Sequence, residues 1–383
     1  MHTAFGTIVA KRELPYARVL ARSFSKHHPE ISFIVLLADK IEDRFDPGAE
    51  PFELVLLSEL AIPQPDSFRF AHERQPLSYA ATPYFLSALL DRGFESAVFI
   101  KQESLVTGDH GVVLSALEQS SIVLTPHLLA PLEGEDRVER ELNILQSGVY
   151  NVGLLGVRES PTARSFLRWW GDRVRARCRH ALPEGMHYEQ RWLDLVPAYF
   201  EDAHVLRDPA VNVAHWGLPE RANAVHRLVR FSGFDPERPD EVTRYSARLR
   251  TEELGELSGL FASYGAALRE AGWKEARSWP YAYDRFDNGV TIPSVVREVY
   301  ADLDDKTRFG NPFSTEAGSF FRWLNEPVNP KSRVTRLWRA IHDRRPDLQV
   351  AFPNLAGGDG DGFRAWVETS GIREHAISPA FVE

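Results

Sequence analysis

Short apolar runs alternate with amphipathic helical segments through roughly the first 210 residues, and this alternation constrains the fold more than any other feature. The runs occupy residues 3–10, 34–38, 54–57, 97–100 and 122–124. Short continuous apolar character is typical of strands that are buried on both faces of a parallel sheet. Because helical segments separate the runs, we predict an α/β fold with a mostly parallel sheet flanked by helices.

The segments between these runs carry the periodicity of helices. Tyr16, Leu20 and Phe24 recur every four residues after Pro15, and a proline suits the first turn of a helix. Parallel sheets bind their ligands beyond the carboxyl ends of the strands. We therefore expect the functional residues to follow residues 10, 38 and 100.

The character of the chain changes after residue 235. Residues 235–244 (DPERPDEVTR) are polar and rich in proline, which is typical of a linker. The remainder has mainly helical periodicity. These patterns predict an α/β domain over residues 1–235 and a mainly helical C-terminal domain over residues 236–383.

Composition excludes several classes of function. The 45 basic and 54 acidic side chains give a net charge of −9, so the chain offers no electrostatic footprint for nucleic acid or an anionic membrane. The single cysteine, Cys178, excludes an internal disulfide and a cysteine-based zinc site. The sequence contains neither an apolar run long enough to span a membrane nor a secretory signal. We therefore expect a cytoplasmic protein.

The common catalytic signatures are absent from the sequence. We find no phosphate-binding GxxxxGK[ST] loop, no GxGxxG after a strand, no GxSxG elbow and no HExxH zinc motif. A nucleotidyltransferase would carry a glycine-rich first loop, whereas GTIVAKRE is poor in glycine. The candidates that remain are polar residues at the ends of the predicted strands.

Eight stretches occur in colinear order over roughly residues 3–236: TIVAKRELPYARVLARSFSKHHP, FIVLLADK, ESAVFIKQESLV, SIVLTPHLLAPL, QSGVYNVGLLGVRESPTARSFLRWW, HYEQRWLDLVPAYF, HVLRDPAVNVAHW and LVRFSGFDP. Together they resemble the GT-A-fold bacterial glycosyltransferases related to glycogenin and the lipopolysaccharide galactosyltransferases. The resemblance implies a Rossmann-like nucleotide-sugar-binding domain and transfer of a sugar to a glycan or glycosylated acceptor, as in polysaccharide biosynthesis.

The sequence departs from this family at the metal site. The family's central strand ends in Asp-x-Asp, which holds a divalent cation on the donor diphosphate, whereas these slots are Lys101 and Glu103 here. A histidine that often completes the metal site is replaced by Arg230. We therefore expect no metal cofactor, and we expect Lys101 and Arg230 to hold the diphosphate directly. The alternative is a decayed metal site in which Lys101 is only a solvated charge.

The resemblance also implies roles for residues elsewhere in the chain. Glu189 is the candidate general base or nucleophile, with Gln190 beside it near the reacting sugar. The candidate substrate-binding residues are Lys11, Asp39, His127, Asn151, Gly153, Ser232 and Gly233. Several of these have a purely structural alternative: Lys11 as a surface residue, Asp39 as a strand-end cap, Asn151 as a turn residue, Gly153 as a bend and His127 as a core histidine.

Two functions from different classes therefore remain open. The first is a metal-independent glycosyltransferase that uses a nucleotide-diphosphate sugar. The second is a glycosyltransferase-like module that has lost catalysis and serves in binding or assembly. Convergence of Lys101, Glu103, Glu189 and Arg230 on one cleft with a free pocket favours the enzyme. An internal salt bridge that caps Lys101 in a filled pocket favours the binding module.

Overall fold

The computed structural model describes residues 1–218, 220–222, 225–246, 249–328 and 334–382. It divides into two compact units. The first unit comprises Met1–Ala61 and Ser78–Tyr281, and the second comprises Ile62–Leu77 and Ala282–Glu383. Each unit has its own core and is described separately below.

The strands all belong to the first unit. They are β1 (Thr3–Val9), β2 (Ser32–Leu37), β3 (Glu53–Leu56), β4 (Ser96–Ile100), β5 (Ser104–Val106), β6 (Ile122–Pro126), β7 (Tyr150–Arg158), β8 (His180–Ala181), β9 (Met186–His187), β10 (Ala203–Val205) and β11 (Leu228–Arg230). Seven of them form the main sheet in the order β10-β6-β7-β4-β1-β2-β3. Only β7 runs antiparallel to its neighbours in this sheet, so the predicted mostly parallel α/β fold is confirmed.

The α-helices are numbered α1 to α16 along the described part of the chain. They are α1 (Leu14–His27), α2 (Pro65–Ala71), α3 (Arg74–Ala80), α4 (Thr82–Asp91), α5 (Gly111–Gln119), α6 (Arg137–Ser147), α7 (Pro161–Ala176), α8 (Val196–Tyr199), α9 (Glu256–Glu270), α10 (Trp273–Ala276), α11 (Ser294–Ala301), α12 (Phe320–Asn325), α13 (Arg336–Arg344), α14 (Pro346–Ala351), α15 (Gly360–Trp366) and α16 (Ile372–Glu374). In these residues, no helix is both long and apolar enough to cross a membrane.

The core of the first unit lies between the main sheet and its helices. Every residue of β1 and β4 is buried, as their apolar character predicts. On α1, Leu20 and Phe24 are fully buried, and the ring of Phe24 packs 4.8 Å from that of Phe5 on β1. Two short antiparallel pairs, β5–β11 and β8–β9, lie outside the main sheet.

The first unit continues past the boundary that the sequence places at residue 235. The reason is α9, whose Tyr264 stacks on Phe231 with ring centroids 3.9 Å apart and whose Phe261 packs 4.7 Å from the same ring. Thr243, within the polar segment that resembles a linker, donates a 2.7 Å hydrogen bond to the carbonyl of Ser232. The polar segment therefore packs on the first unit as a surface loop.

The second unit is helical, as predicted for the C-terminal region. Its core includes Phe70 of α2, so a segment far upstream in the sequence belongs to it. Arg297 of α11 is buried, and its guanidinium donates to the carbonyls of Phe70, His72 and Tyr283 at 2.6–3.1 Å. These bonds attach the upstream segment to α11, because a buried guanidinium requires acceptors for its donors.

Two histidines form a buried pair in the first unit. His28 ends α1 and His110 precedes α5, and His28 Nε2 lies 3.1 Å from His110 Nδ1. The backbone N–H of His110 also donates to His28 Nε2 at 3.2 Å. Burial lowers the pKa of His28 and lowers the pKa of His110 to about 3, so both rings are neutral at pH 7.

We predict that stability falls in mild acid because of His110. Between pH 6.5 and about 3 the unfolded chain binds a proton there that the folded chain does not. The free energy of unfolding should therefore fall by on the order of 2 kcal/mol between pH 7 and pH 5 from this histidine alone. Urea unfolding should show a shallower pH dependence for His110→Phe than for His204→Gln, an exposed control on β10. Equal pH dependence in the two variants would contradict this.

Candidate functional site

The carboxyl ends of β1, β2 and β4 bring three candidate residues to one edge of the main sheet. Lys101 follows β4 directly, and β4 lies between β1 and β7. Lys11 and Asp39 follow β1 and β2. This edge is where a parallel sheet ordinarily binds its ligand.

Lys101 forms a buried ion pair with Glu189. Lys101 Nζ lies 2.7 Å from Glu189 Oε1, and the two side chains are 3% and 2% exposed. The ammonium also lies 3.3 Å from the ring centroid of Tyr79, in cation–π geometry. Burial lowers the pKa of Lys101, whereas the carboxylate of Glu189 opposes that shift. Lys101 is therefore a capped, buried charge rather than a solvated one.

Arg230 and Glu103 lie on the short antiparallel pair β5–β11 or directly beside it. Arg230 pairs with Ser104 in register, and its guanidinium Nη2 lies 4.0 Å from Glu103 Oε1. Two polar atoms at this point are buried without a hydrogen-bond partner: Glu103 Oε2 and Arg230 Nε. Buried polar atoms are rarely left unpaired, so these two atoms keep unused hydrogen-bonding capacity.

Asn151 at the start of β7 connects this region to the sheet. Its Oδ1 accepts hydrogen bonds from Arg230 Nη1 at 2.8 Å, from the backbone N–H of Gly153 at 2.6 Å and from Asn212 Nδ2 at 3.1 Å. Gly153 is required here, because an added Cβ would lie 2.1 Å from Asn212 Oδ1. Asn151 thus holds the guanidinium of Arg230 in place.

His127 and Gln190 complete this network. Asn151 Nδ2 donates to His127 Nε2 at 2.7 Å and to Gln190 Oε1 at 3.2 Å. His127 Nδ1 then carries the proton and faces the carbonyl of Val149 at 3.3 Å. Burial lowers the pKa of His127 to about 3, so its ring is neutral and acts as an acceptor for Asn151. Gln190 Nε2 donates to the carbonyl of Ser147 at 2.8 Å.

Lys11 and Asp39 form a separate ion pair. Lys11 Nζ lies 3.2 Å from Asp39 Oδ1 and 2.7 Å from Glu42 Oε2. The side chains of Lys11 and Asp39 are fully buried, so Lys11 does not have the surface position that its sequence context allows. The pair joins the carboxyl ends of β1 and β2.

Ser232 and Gly233 form the turn that follows Arg230. Gly233 has a φ of +77°, which favours glycine, and an added Cβ would lie 2.5 Å from Thr243 Oγ1. The carbonyl of Gly233 accepts a 3.0 Å hydrogen bond from the backbone N–H of Arg244. The turn thus reverses the chain immediately beyond β11.

Sequence reasoning gave no role to three residues that contact the site. The ring of Tyr79 caps Lys101. Asn212 donates to Asn151, and the ring of Trp216 lies 5.4 Å from the Arg230 guanidinium. Both lie in HVLRDPAVNVAHW, so the resemblance located their segment but not their contacts.

The donor set does not suit a divalent cation. Such ions prefer oxygen ligands, whereas the positive charges of Lys101 and Arg230 lie beside Glu103. Across the described ranges, no group of three or more histidine, cysteine, aspartate or glutamate side chains is arranged to hold a metal. The residues present therefore do not fit the metal of the GT-A family.

No family model matches the chain. A protein of Bacillus subtilis, described as uncharacterized protein YfnF, is 23% identical over 221 residues, which cover 56% of this chain and 72% of the relative.

The chain is also similar to solved glycosyltransferase structures. A galactosyltransferase, LgtC, in complex with donor and acceptor sugar analogues is 14% identical with a TM-score of 0.39, over 70% of this chain and 96% of that one. The glycosyltransferase GlyE of Streptococcus pneumoniae is 12% identical with a TM-score of 0.40, over 74% of this chain and 66% of that one. Both structures are of glycosyltransferases, the class of protein that the sequence resembles.

Proposed function

We propose that this chain is a glycosyltransferase that moves a sugar from a nucleotide-diphosphate donor to a glycan or glycosylated acceptor without a resident metal. The observation that carries the proposal is the pair of unsatisfied buried atoms, Glu103 Oε2 and Arg230 Nε, beside the edge where β4 ends. A phosphate oxygen can accept from Arg230, and a sugar hydroxyl can donate to Glu103. A phosphorylated sugar therefore meets both requirements.

The charges of the site support direct recognition of a diphosphate. Lys101 and Arg230 contribute two positive charges, and Glu103 and Glu189 contribute two negative ones. Two aspartates with a divalent ion give the same neutral sum, so the two basic side chains supply what the ion supplies in the family. Fixed cations next to the phosphates stabilise the charge that develops on a leaving diphosphate.

In the proposed reaction, basic side chains receive the leaving diphosphate and a carboxylate acts on the sugar and its acceptor. The glycosidic bond to the diphosphate breaks with its electron pair on the phosphate oxygen, next to Lys101 and Arg230. The acceptor hydroxyl forms the new bond to the sugar and releases a proton. Glu189 is the base that takes this proton. If Glu189 is first the nucleophile, the acceptor displaces its carboxylate from the sugar and the released diphosphate takes the proton.

The remaining candidates support this arrangement. Asn151, Gly153, His127 and Gln190 fix Arg230 and the start of β7, and we propose that they line the sugar pocket. The Lys11–Asp39 pair and the turn at Ser232 and Gly233 are proposed to contact the nucleotide. We propose a cytoplasmic location for the chain and no role for it with nucleic acid.

The second candidate is a glycosyltransferase-like binding module without catalysis. One observation favours it: Glu189 is ion-paired with Lys101, and the ring of Tyr79 caps the lysine. The charge of the proposed base is therefore neutralised by the lysine that is proposed to bind the phosphate. The enzyme requires a substrate to separate this pair. In the binding module the Lys101–Glu189 ion pair never separates.

We predict that nucleoside diphosphates bind in EDTA and that their affinity falls as salt rises, because charge attraction contributes to it. Lys101→Met and Arg230→Met should each weaken binding by roughly ten- to a hundredfold, since each removes a charge-assisted hydrogen bond. The double variant should lose less than the sum. Isothermal titration calorimetry with UDP, GDP, ADP and CDP measures this, and Lys274→Met, an exposed lysine on α10, is the control.

The binding module becomes the better account if none of these nucleotides binds at millimolar concentration with or without manganese. Manganese-dependent binding that is lost in Glu103→Gln would instead contradict the absence of a resident metal.

We also predict a separation of binding from chemistry at Glu189. Glu189→Gln keeps the oxygen that accepts from Lys101 but removes the carboxylate, so nucleotide affinity should stay within about threefold. Transfer, and slow hydrolysis of the nucleotide sugar, should fall by more than a hundredfold, because general-base catalysis contributes about that much. Donor hydrolysis followed by chromatography measures this against Glu201→Gln, an exposed control. Unchanged hydrolysis in Glu189→Gln would exclude Glu189 as the base.

A further inference from the structure

The ring of Tyr79 contacts Lys101, the lysine that is proposed to bind the diphosphate. Tyr79 lies on α3, is 7% exposed and offers the face of its ring to Lys101 Nζ at 3.3 Å from the centroid. The ring of Tyr188 meets that of Tyr79 edge-on at 5.3 Å and 80°. The lysine ammonium therefore lies between an aromatic face on one side and the carboxylate of Glu189 on another.

The surroundings of Lys101 oppose its positive charge. Burial is the main cause, and Arg230 adds repulsion. Glu189 and Glu103 favour the charge, and the other titratable groups that interact with Lys101 are Cys178 and His187. Glu189 is the carboxylate that pairs directly with the ammonium, but the proposed reaction takes it away to serve the sugar. The ring of Tyr79 is a second source of stabilisation that does not depend on Glu189.

We infer that Tyr79 is a positioning residue that keeps the ammonium of Lys101 charged and fixed at the phosphate end of the site through the face of its aromatic ring. This inference rests on the proposed function only for the identity of the ligand that Lys101 holds. The negative face of the ring attracts a desolvated cation, and a neutral side chain can do so without competing for the phosphate. A carboxylate in the same place would repel the diphosphate.

Cation–π attraction and simple packing depend on different properties of the Tyr79 ring. Packing depends on size and shape, so phenylalanine and its fluorinated forms would serve about equally well. Cation–π attraction depends on the electron density of the ring face, which fluorine withdraws. A series with phenylalanine and mono-, di- and trifluorinated phenylalanine at position 79 therefore separates the two roles with little change of shape.

The charge state of Lys101 can be measured directly. The chain contains seven lysines, so a protein labelled with ¹³C at the lysine Cε carbons gives few signals. Lys101→Met assigns the signal of Lys101. The pH titration of that signal is then compared between the native chain, Tyr79→Phe, the fluorinated series and Tyr79→Leu, and the signal of Lys274 is an internal control.

The expected result is an unchanged midpoint in Tyr79→Phe and a midpoint that falls stepwise with fluorination. In Tyr79→Leu the midpoint should fall by about one pH unit, since losing a desolvated cation–π contact disfavours the charged form by that order. The pH at which UDP or GDP affinity is lost should fall in the same order. If Tyr79→Leu does not fold, the fluorinated series decides the question.

The two proposals fail separately. A midpoint that does not respond to fluorination, in a chain that still binds nucleotide, overturns the role of Tyr79 and leaves the proposed function intact. A midpoint that follows the ring in a chain that binds no nucleoside diphosphate supports the role of Tyr79 and overturns the proposed function. An unchanged midpoint with fully retained affinity in Tyr79→Leu assigns Tyr79 to packing alone.

Discussion

The buried ion pair between Lys101 and Glu189 is the interaction on which the rest of the site depends. Removing either charge from water costs several kcal/mol, so each charge in this position requires a partner, and here each is the other's partner. Glu189 is in turn held by α7, where Trp170 Nε1 donates to its backbone carbonyl at 3.1 Å. The pair therefore fixes the segment after β9 against the end of the central strand β4. A loop that is far away in sequence thereby becomes part of the sheet edge.

The two ion pairs of the site differ in whether their polar atoms all have partners. At Lys101 and Glu189 the opposite charges are in direct contact, whereas Arg230 and Glu103 stand 4.0 Å apart and each keeps an unsatisfied atom. The hydrogen bond from Arg230 Nη1 to Asn151 holds the guanidinium in place, and this keeps Arg230 4.0 Å from Glu103. Under the proposed function, the sugar donor can form hydrogen bonds at the Arg230 end without replacing an existing one, because Arg230 Nε and Glu103 Oε2 have no partner.

The sequence predicted what depends on local pattern and missed what depends on contacts between distant residues. Buried apolar runs located β1 and β4, and the charge after residue 100 placed Lys101 at the end of β4. The partner of Lys101 lies 88 residues away, so no local pattern indicated a capped lysine instead of a solvated one. The boundary at residue 235 followed a polar composition, but the aromatic contacts of Phe231 with α9 extend the unit.

The Lys101–Glu189 ion pair is compatible with catalysis if both substrates are present when its two side chains separate. A diphosphate carries more than one negative charge, so Lys101 can exchange Glu189 for phosphate and remain paired in the buried site. Glu189 would then be a buried charge without its partner, which is costly unless another donor reaches it. An acceptor hydroxyl is such a hydrogen-bond donor, and under the proposed function it is also the group whose proton Glu189 takes. The cost of separating the pair thus favours transfer to an acceptor over reaction of the donor alone.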